Sequence, residues 1–278
     1  MKINAIKPQI NFGWSCETHR VIMETAIKDM PQFTPFKDKL EHFVQQPDHD
    51  DVGFLANKHF YFGEKDRPQE DAFFKLSHDK EENTEKEVLT ERQGSKGLLG
   101  IFGKIMNKNA VSYMDYNGKN NAKAAYLDHI DKIDNAIEDE DTDTAIENIA
   151  RACHFLQDVS QPQHIEETTT FGKAIDLKIH TDFEDFTEKN VNELAKDFNS
   201  NITERRNTLQ LFQDTFKQTK ETGKITRKNE PDWKEISQKQ FNIAVQATKE
   251  FLENFSAQMG LNNKTKIEEE DNTAAQDT

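Results

Sequence analysis

The chain has 278 residues, with 51 Asp and Glu against 36 Lys and Arg and a formal net charge of -15. A surface that acidic repels polyanions and argues against general nucleic-acid binding, while it suits bound divalent cations. Two cysteines, Cys16 and Cys153, cannot build a zinc-finger spacing, and no apolar run reaches the roughly 18 residues of a membrane-crossing helix.

The size fits one large domain or two small ones, and 20 Phe residues offer bulky rings for a core. Met1 to Gly13 contains no uninterrupted apolar stretch of the roughly 7–15 residues that a secretory signal needs. Residues 17–30 carry Val21, Ile22, Ala26 and Ile27 at helical spacing, and residues 35–46 place Phe36, Leu40, Phe43 and Val44 on one stripe. Residues 64–94 are rich in Glu, Asp and Lys and read as an irregular excursion. The run 97–106 is apolar and flanked or punctuated by Lys96, Lys104 and Lys108. A loop or short helix packed on the core is the plainer reading, and a lipid-directed activity would favour an interfacial membrane contact instead. Helical periodicity returns over 120–137, 141–158, 176–197, 203–220 and 231–258, with Thr142 or Thr144 as the expected N-cap of the second of these. The polar, acidic tail over 261–278 cannot bury enough surface to offset ordering entropy and is expected to be disordered. Strand signals are nearly absent. The expected fold is all-α.

Two pairs of residues carry the chemistry. His154 and Asp158 are four apart, so on a helix both side chains point the same way. Pro162 should end that helix at or before Gln161, and the turn can fold His164 back beside its end. His180 and Glu184 repeat the spacing of four on a later helix. Imidazole nitrogen and carboxylate oxygen are the usual zinc ligands where thiolates are absent. Either pair alone is most often a surface salt link. The two together, with His164 between them, form a metal-site pattern.

This pattern, His154-x3-Asp158-x5-His164-x15-His180-x3-Glu184 with Pro162 two before His164, resembles the bacterial zinc-dependent phospholipases C, which include clostridial α-toxin-like enzymes. The upstream half is similar as well: Trp14 with His19 on the first helix, Pro47-Asp48, and His59-Phe60-Tyr61. The fungal single-strand-specific zinc nucleases share the fold but usually end the motif in Asp, so Glu184 leans toward the phospholipases. The resemblance implies a single compact multi-helix domain over 14–260, preceded by a leader or extension over 1–13, with a trinuclear zinc site in a cleft between helices. Asp48, His59, His154 and Asp158 would hold the first ion. His164, His180 and Glu184 would hold the second. Trp14, through its amino nitrogen and carbonyl oxygen, would hold the third with His19 and a bridging Asp158. Asp48 would also orient or deprotonate the attacking water.

The resemblance further implies a phospholipid substrate, a monomer and, for most members, secretion, although no conventional signal peptide is visible. The third site needs a free amine and hence cleavage between Gly13 and Trp14. Glu17 fits the acidic residue beside a cationic headgroup. The family's aromatic box is not reproduced, since His49 follows Asp48 and Ala56 stands three before His59, and Phe54 is the candidate substitute. His42, His49, His78 and His129 read as surface or packing residues, Asp50 and Asp51 as solvated, and Cys153 as a small packed side chain. The alternatives are a nuclease or nucleotidase on the same scaffold, which the short Trp14–His19 spacing favours, and a non-catalytic, metal-stabilised helical binding protein.

Overall fold

The structure is a computed structural model that describes residues 14–51, 58–61, 121–165, 172–198, 206–222 and 225–261. The predicted leader, the 64–94 and 97–106 segments, Phe54, His78 and all of the tail but Leu261 lie outside these residues. Nine α-helices and two 3-10 turns occur among the described residues, and no strand. In chain order they are α1 (Cys16–Ile27), a 3-10 turn (Pro31–Phe36), α2 (Lys37–Phe43), α3 (Gln46–Asp50), α4 (Ala122–Glu138), α5 (Thr142–Asp158), α6 (Pro162–Ile165), α7 (Gly172–Lys196), α8 (Thr208–Thr222), a second 3-10 turn (Arg227–Asp232) and α9 (Trp233–Gln258).

The helix predicted over 35–46 is divided. Pro35 falls inside the 3-10 turn and Pro47 opens α3, and each lacks the backbone N–H that an α-helical interior requires. Leu40 and Val44 of the expected stripe are fully buried, while Phe36 and Phe43 pack against the core from its edge.

Side chains start the main helices. Ser15 Oγ accepts from Thr18 N at 3.3 Å before α1, and Asn121 Oδ1 accepts from Ala124 N at 2.9 Å before α4. The cap of α5 is Asp141, not Thr142 or Thr144: its Oδ1 accepts from Thr144 N at 3.0 Å. Such caps contribute about 1 kcal/mol each. Asp141 also closes α4. Its N–H reaches Ala136 O at 2.8 Å and Glu140 N reaches Ile137 O at 3.2 Å, with Glu140 at φ 57°. That is the paired Schellman closure of a helix end, so one residue serves two helices and the hairpin turns sharply.

α4 and α5 pack against each other along their length, and α5 also contacts α2 and α9. From Ala152 to Asp158 every residue of α5 is buried. A helix end enclosed all round must satisfy its polar groups inside the protein, and it carries His154 and Asp158. α9 lies against α1, α5, α7 and α8 and supplies Phe241, Phe251, Leu252 and Phe255 to the core. A smaller cluster of Ile179, Phe183, Ile225, Trp233 and Ile236 backs the part of α7 that carries His180 and Glu184. Leu261, assigned from sequence to the tail, is buried in the main core. Cys16 and Cys153 are free thiols, and Cys153 is buried among apolar residues. No helix of the described residues is long and apolar enough to cross a membrane.

Candidate metal centre

The site is built where the end of α5 meets five other segments. α1 brings His19 and α3 brings Asp48. The short segment 58–61 brings His59, and it is pinned by three bonds: Tyr61 N to His164 O (2.8 Å), Ala122 N to Phe60 O (2.9 Å) and His164 Nδ1 to His59 O (2.5 Å). α6 begins at Pro162, as a proline at the first helical position allows, and it folds His164 back to 3.7 Å from Asp158. α7 supplies His180 and Glu184 on one face.

Eight of the nine residues expected to be ligands offer side chains, and all eight are buried here. They form three groups whose ligand atoms lie within 4.8 Å of one another: His19, His154 and Asp158; Asp48, His59 and His154; and His164, His180 and Glu184. Asp158 joins the first two. Its Oδ2 lies 2.9 Å from His59 Nδ1 and 3.2 Å from His154 Nε2, while Oδ1 lies 3.5 Å from His19 Nε2. Asp48 Oδ1 stands 3.8 Å from His59 Nδ1 and 3.7 Å from His154 Nε2. Donors bound at about 2.1 Å around one tetrahedral ion stand roughly 3.4 Å apart, and the separations here straddle that value.

The imidazoles are aimed. His154 Nδ1–H donates to Val44 O at 2.7 Å, His164 Nδ1–H to His59 O at 2.5 Å, and His19 Nδ1–H to Gln157 Oε1 at 2.7 Å. Each bond leaves an Nε2 lone pair facing the interior, the arrangement in which backbone carbonyls and amides orient metal-binding histidines. His154 thus presents one free nitrogen and can serve one of its two groups. His19 Nε2, Asp48 Oδ1 and Asp158 Oδ1 are buried without a hydrogen-bond partner among the described residues. Orphaned acceptors of this kind are costly, and cations held in the two groups would satisfy all three. The donor set therefore fits divalent metal ions of the zinc type.

The electrostatics show the same demand for positive charge. Asp158 is held well below the usual carboxylate range, because His154 and His59 outweigh its burial. Burial also pulls His59 down, but Asp158 and Asp48 raise it to about 9, so in the metal-free site its imidazolium substitutes for a cation. Burial pushes the Asp48 carboxyl up to about 7 against the pull of His19 and His59. Burial and the neighbouring His19 push His154 down to about 3.

Trp14, expected to ligate through its backbone, is fully buried, and its indole N–H is shared between Gln157 O and Ser160 Oγ, both at 3.0 Å. This places residue 14 beside His19. Glu17 is half-exposed, and its two carboxylate oxygens accept from Arg20 Nε (2.9 Å) and Nη2 (2.7 Å). Asp50 is exposed and pairs with Arg151 at 2.8 Å. Asp51 is not solvated as expected: it is buried and pairs with Lys58 at 2.8 Å, which anchors the segment carrying His59. His129 packs on Phe155 and bonds to Asn148 at 2.8 Å. Sequence reasoning missed Gln157, Val44 and the carbonyl of His59 as orienting groups. Their partners lie about a hundred residues away in sequence, so no local spacing points to them.

No family model matches the sequence, and no curated protein matches it. Among solved structures, an alpha toxin from Clostridium absonum matches with a TM-score of 0.52 and 16% sequence identity, covering 89% of this chain and 62% of the toxin chain. This chain thus spans less than two thirds of the toxin's length. At that identity the likeness is one of fold, and it extends over the matched 62% of the toxin chain.

Proposed function

We propose that this chain is a zinc-dependent phosphodiester hydrolase of the phospholipase C type, cleaving glycerophospholipids to diacylglycerol and a phosphorylated headgroup. One observation carries the reading: the buried, unpartnered His19 Nε2, Asp48 Oδ1 and Asp158 Oδ1 belong to two candidate ligand groups that share His154. The ligand spacing shared with clostridial α-toxin-like enzymes and the fold shared with an alpha toxin support it.

Asp48, His59, His154 and Asp158 would hold one zinc ion, and His164, His180 and Glu184 a second. His19 and Asp158 would hold a third with the backbone of Trp14, provided that residue 14 carries a free amine. Bound zinc neutralises phosphoryl oxygens, acidifies water and stabilises a leaving alkoxide. Asp48 orients the attacking water and receives its proton at a carboxylate oxygen. Asp158 would contribute one carboxylate to two of these ions. Glu17 lends an acidic flank to a cationic headgroup only in competition with Arg20. The substrate reaches the site from a phospholipid surface, with 97–106 as the proposed contact, and the chain acts as a monomer.

The acidic surface and Glu184 favour lipid over single-stranded nucleic acid. The test is metal analysis of the purified chain with phosphatidylcholine vesicles and single-stranded DNA assayed side by side, before and after chelation. Chelator-sensitive release of phosphocholine supports the reading. Chelator-sensitive cleavage of the DNA alone assigns the nuclease, and absence of bound metal defeats both.

A further inference from the structure

The structure assigns Gln157 as a positioning residue that holds His19 toward its metal ion and ties that ligand to the last helix. The assignment rests on the metal reading above. Gln157 is fully buried, one position before Asp158. A step of one residue turns a helical side chain by about 100°, so Gln157 leaves α5 on a different face from Asp158. There it reaches α1 and α9 together. Its Oε1 accepts from His19 Nδ1 at 2.7 Å, and its Nε2 donates to Thr248 Oγ1 at 3.0 Å. Its backbone oxygen accepts from the Trp14 indole at 3.0 Å and from Ser160 Oγ at 2.6 Å. One residue therefore contacts both N-terminal members of the proposed third site.

The consequence lies in the ring. A neutral imidazole carries one proton, and the atom that holds it is set by the bond at the other nitrogen. In the orientation the structure shows, the Gln157 amide nitrogen bonds to Thr248 and its oxygen faces His19, so the proton sits on Nδ1 and Nε2 is left as a lone pair 3.5 Å from Asp158 Oδ1. An apolar side chain at 157 would leave the ring free to turn or to change tautomer.

Full-length Gln157→Leu, Gln157→Glu and Thr248→Val are compared with the parent chain. Zinc affinities are measured by competition with a chromophoric chelator, thermal stability by melting, and the His19 tautomer by ring-nitrogen NMR of the metal-free protein at alkaline pH. Gln157→Leu is expected to weaken one ion about 10–100-fold, the range for loss of an outer-shell partner, and to leave the other affinities in place. Gln157→Glu restores that affinity to within a few-fold, because a carboxylate accepts the same bond. Thr248→Val gives a smaller loss of the same ion, and it serves as the test if the leucine variant does not fold. A parent His19 protonated at Nε2, or affinities in Gln157→Leu that are unchanged or lowered uniformly with stability, would overturn the assignment. A parent chain that binds no zinc defeats the metal reading, and the tautomer then decides the positioning role alone.

Discussion

The Nε2 atoms of His164 and His180 face each other at 3.2 Å. His164 Nδ1 is committed to the carbonyl of His59, so its Nε2 has no proton to offer. His180 Nε2 also stands 2.7 Å from Glu184 Oε1. Three potential ligand atoms thus meet at one point, where a single cation would be held by all of them. Glu184→Gln keeps the shape and removes the charge. It is expected to lose one zinc equivalent and to lower hydrolysis at least about 100-fold, since the ion lost with it would no longer neutralise the phosphoryl oxygens. Elemental analysis and turnover check this together. Full zinc content with full turnover would refute the role of that group.

Asp158 offers a sharper contrast, because His59, His154, His19 and His164 all lie within 3.7 Å of its oxygens. Asp158→Asn should lose more than one zinc equivalent, whereas Glu184→Gln loses one. Removing one partner from a buried charge cluster also costs roughly 3–5 kcal/mol, so the metal-free variant should melt well below its parent. Equal metal loss in the two variants would show that Asp158 does not bridge.

The periodicity of Val21, Ile22, Ala26 and Ile27, or of Ile130 and Ile133, marked helices because a buried stripe must recur with the helical turn. The spacing of four likewise placed His154 beside Asp158 and His180 beside Glu184. Choices among chemically equal neighbours were not legible. Asp141, Thr142, Asp143 and Thr144 are all good cap formers, and the closure of α4 selected Asp141. Asp51 read as solvated because Lys58 lies across residues that no pattern connects to it. Gln157 gave no signal, since its partners His19 and Thr248 lie 138 and 91 residues away.

Zinc should displace protons. At pH 7 the metal-free His59 is charged, its pKa raised to about 9, and Asp48 sits near its midpoint at about 7. Ligation requires both to be deprotonated, so binding releases at least about one proton and the apparent affinity climbs toward pH 9. The same shifts set the stability of the metal-free chain. His59, raised above its ordinary 6.5, contributes stability that is full below that value and lost as pH rises toward 9. His154 and His164 are lowered, to about 3 and well below 6.5, so the unfolded chain gains their protons first and stability drops on acidification below 6.5. The raised carboxyl of Asp48 opposes these two between about 4 and 7. Stability without metal should therefore peak near pH 6.5. Titration calorimetry in buffers of different ionisation enthalpy counts the protons, and a buffer-independent heat would contradict the account.

The last relationship concerns the fold rather than the site. Glu250 in α9 has a fully buried carboxylate that accepts from Arg206 N (2.6 Å), Nε (3.1 Å) and Nη2 (2.6 Å), and Asn254 Nδ2 donates to Arg206 O at 2.9 Å. The approach to α8 is thereby fastened to the helix that carries Thr248. Arg206→Ala leaves a buried carboxylate with one backbone donor, and an uncompensated charge of this kind costs about 3–5 kcal/mol. Replacing both partners, as Arg206→Met with Glu250→Leu, removes the charge as well as its partner and should recover most of that loss. Urea unfolding of the single and double variants makes the comparison. A double variant no more stable than Arg206→Ala would show that the pair contributes through its hydrogen bonds and not through the burial of an unpaired charge.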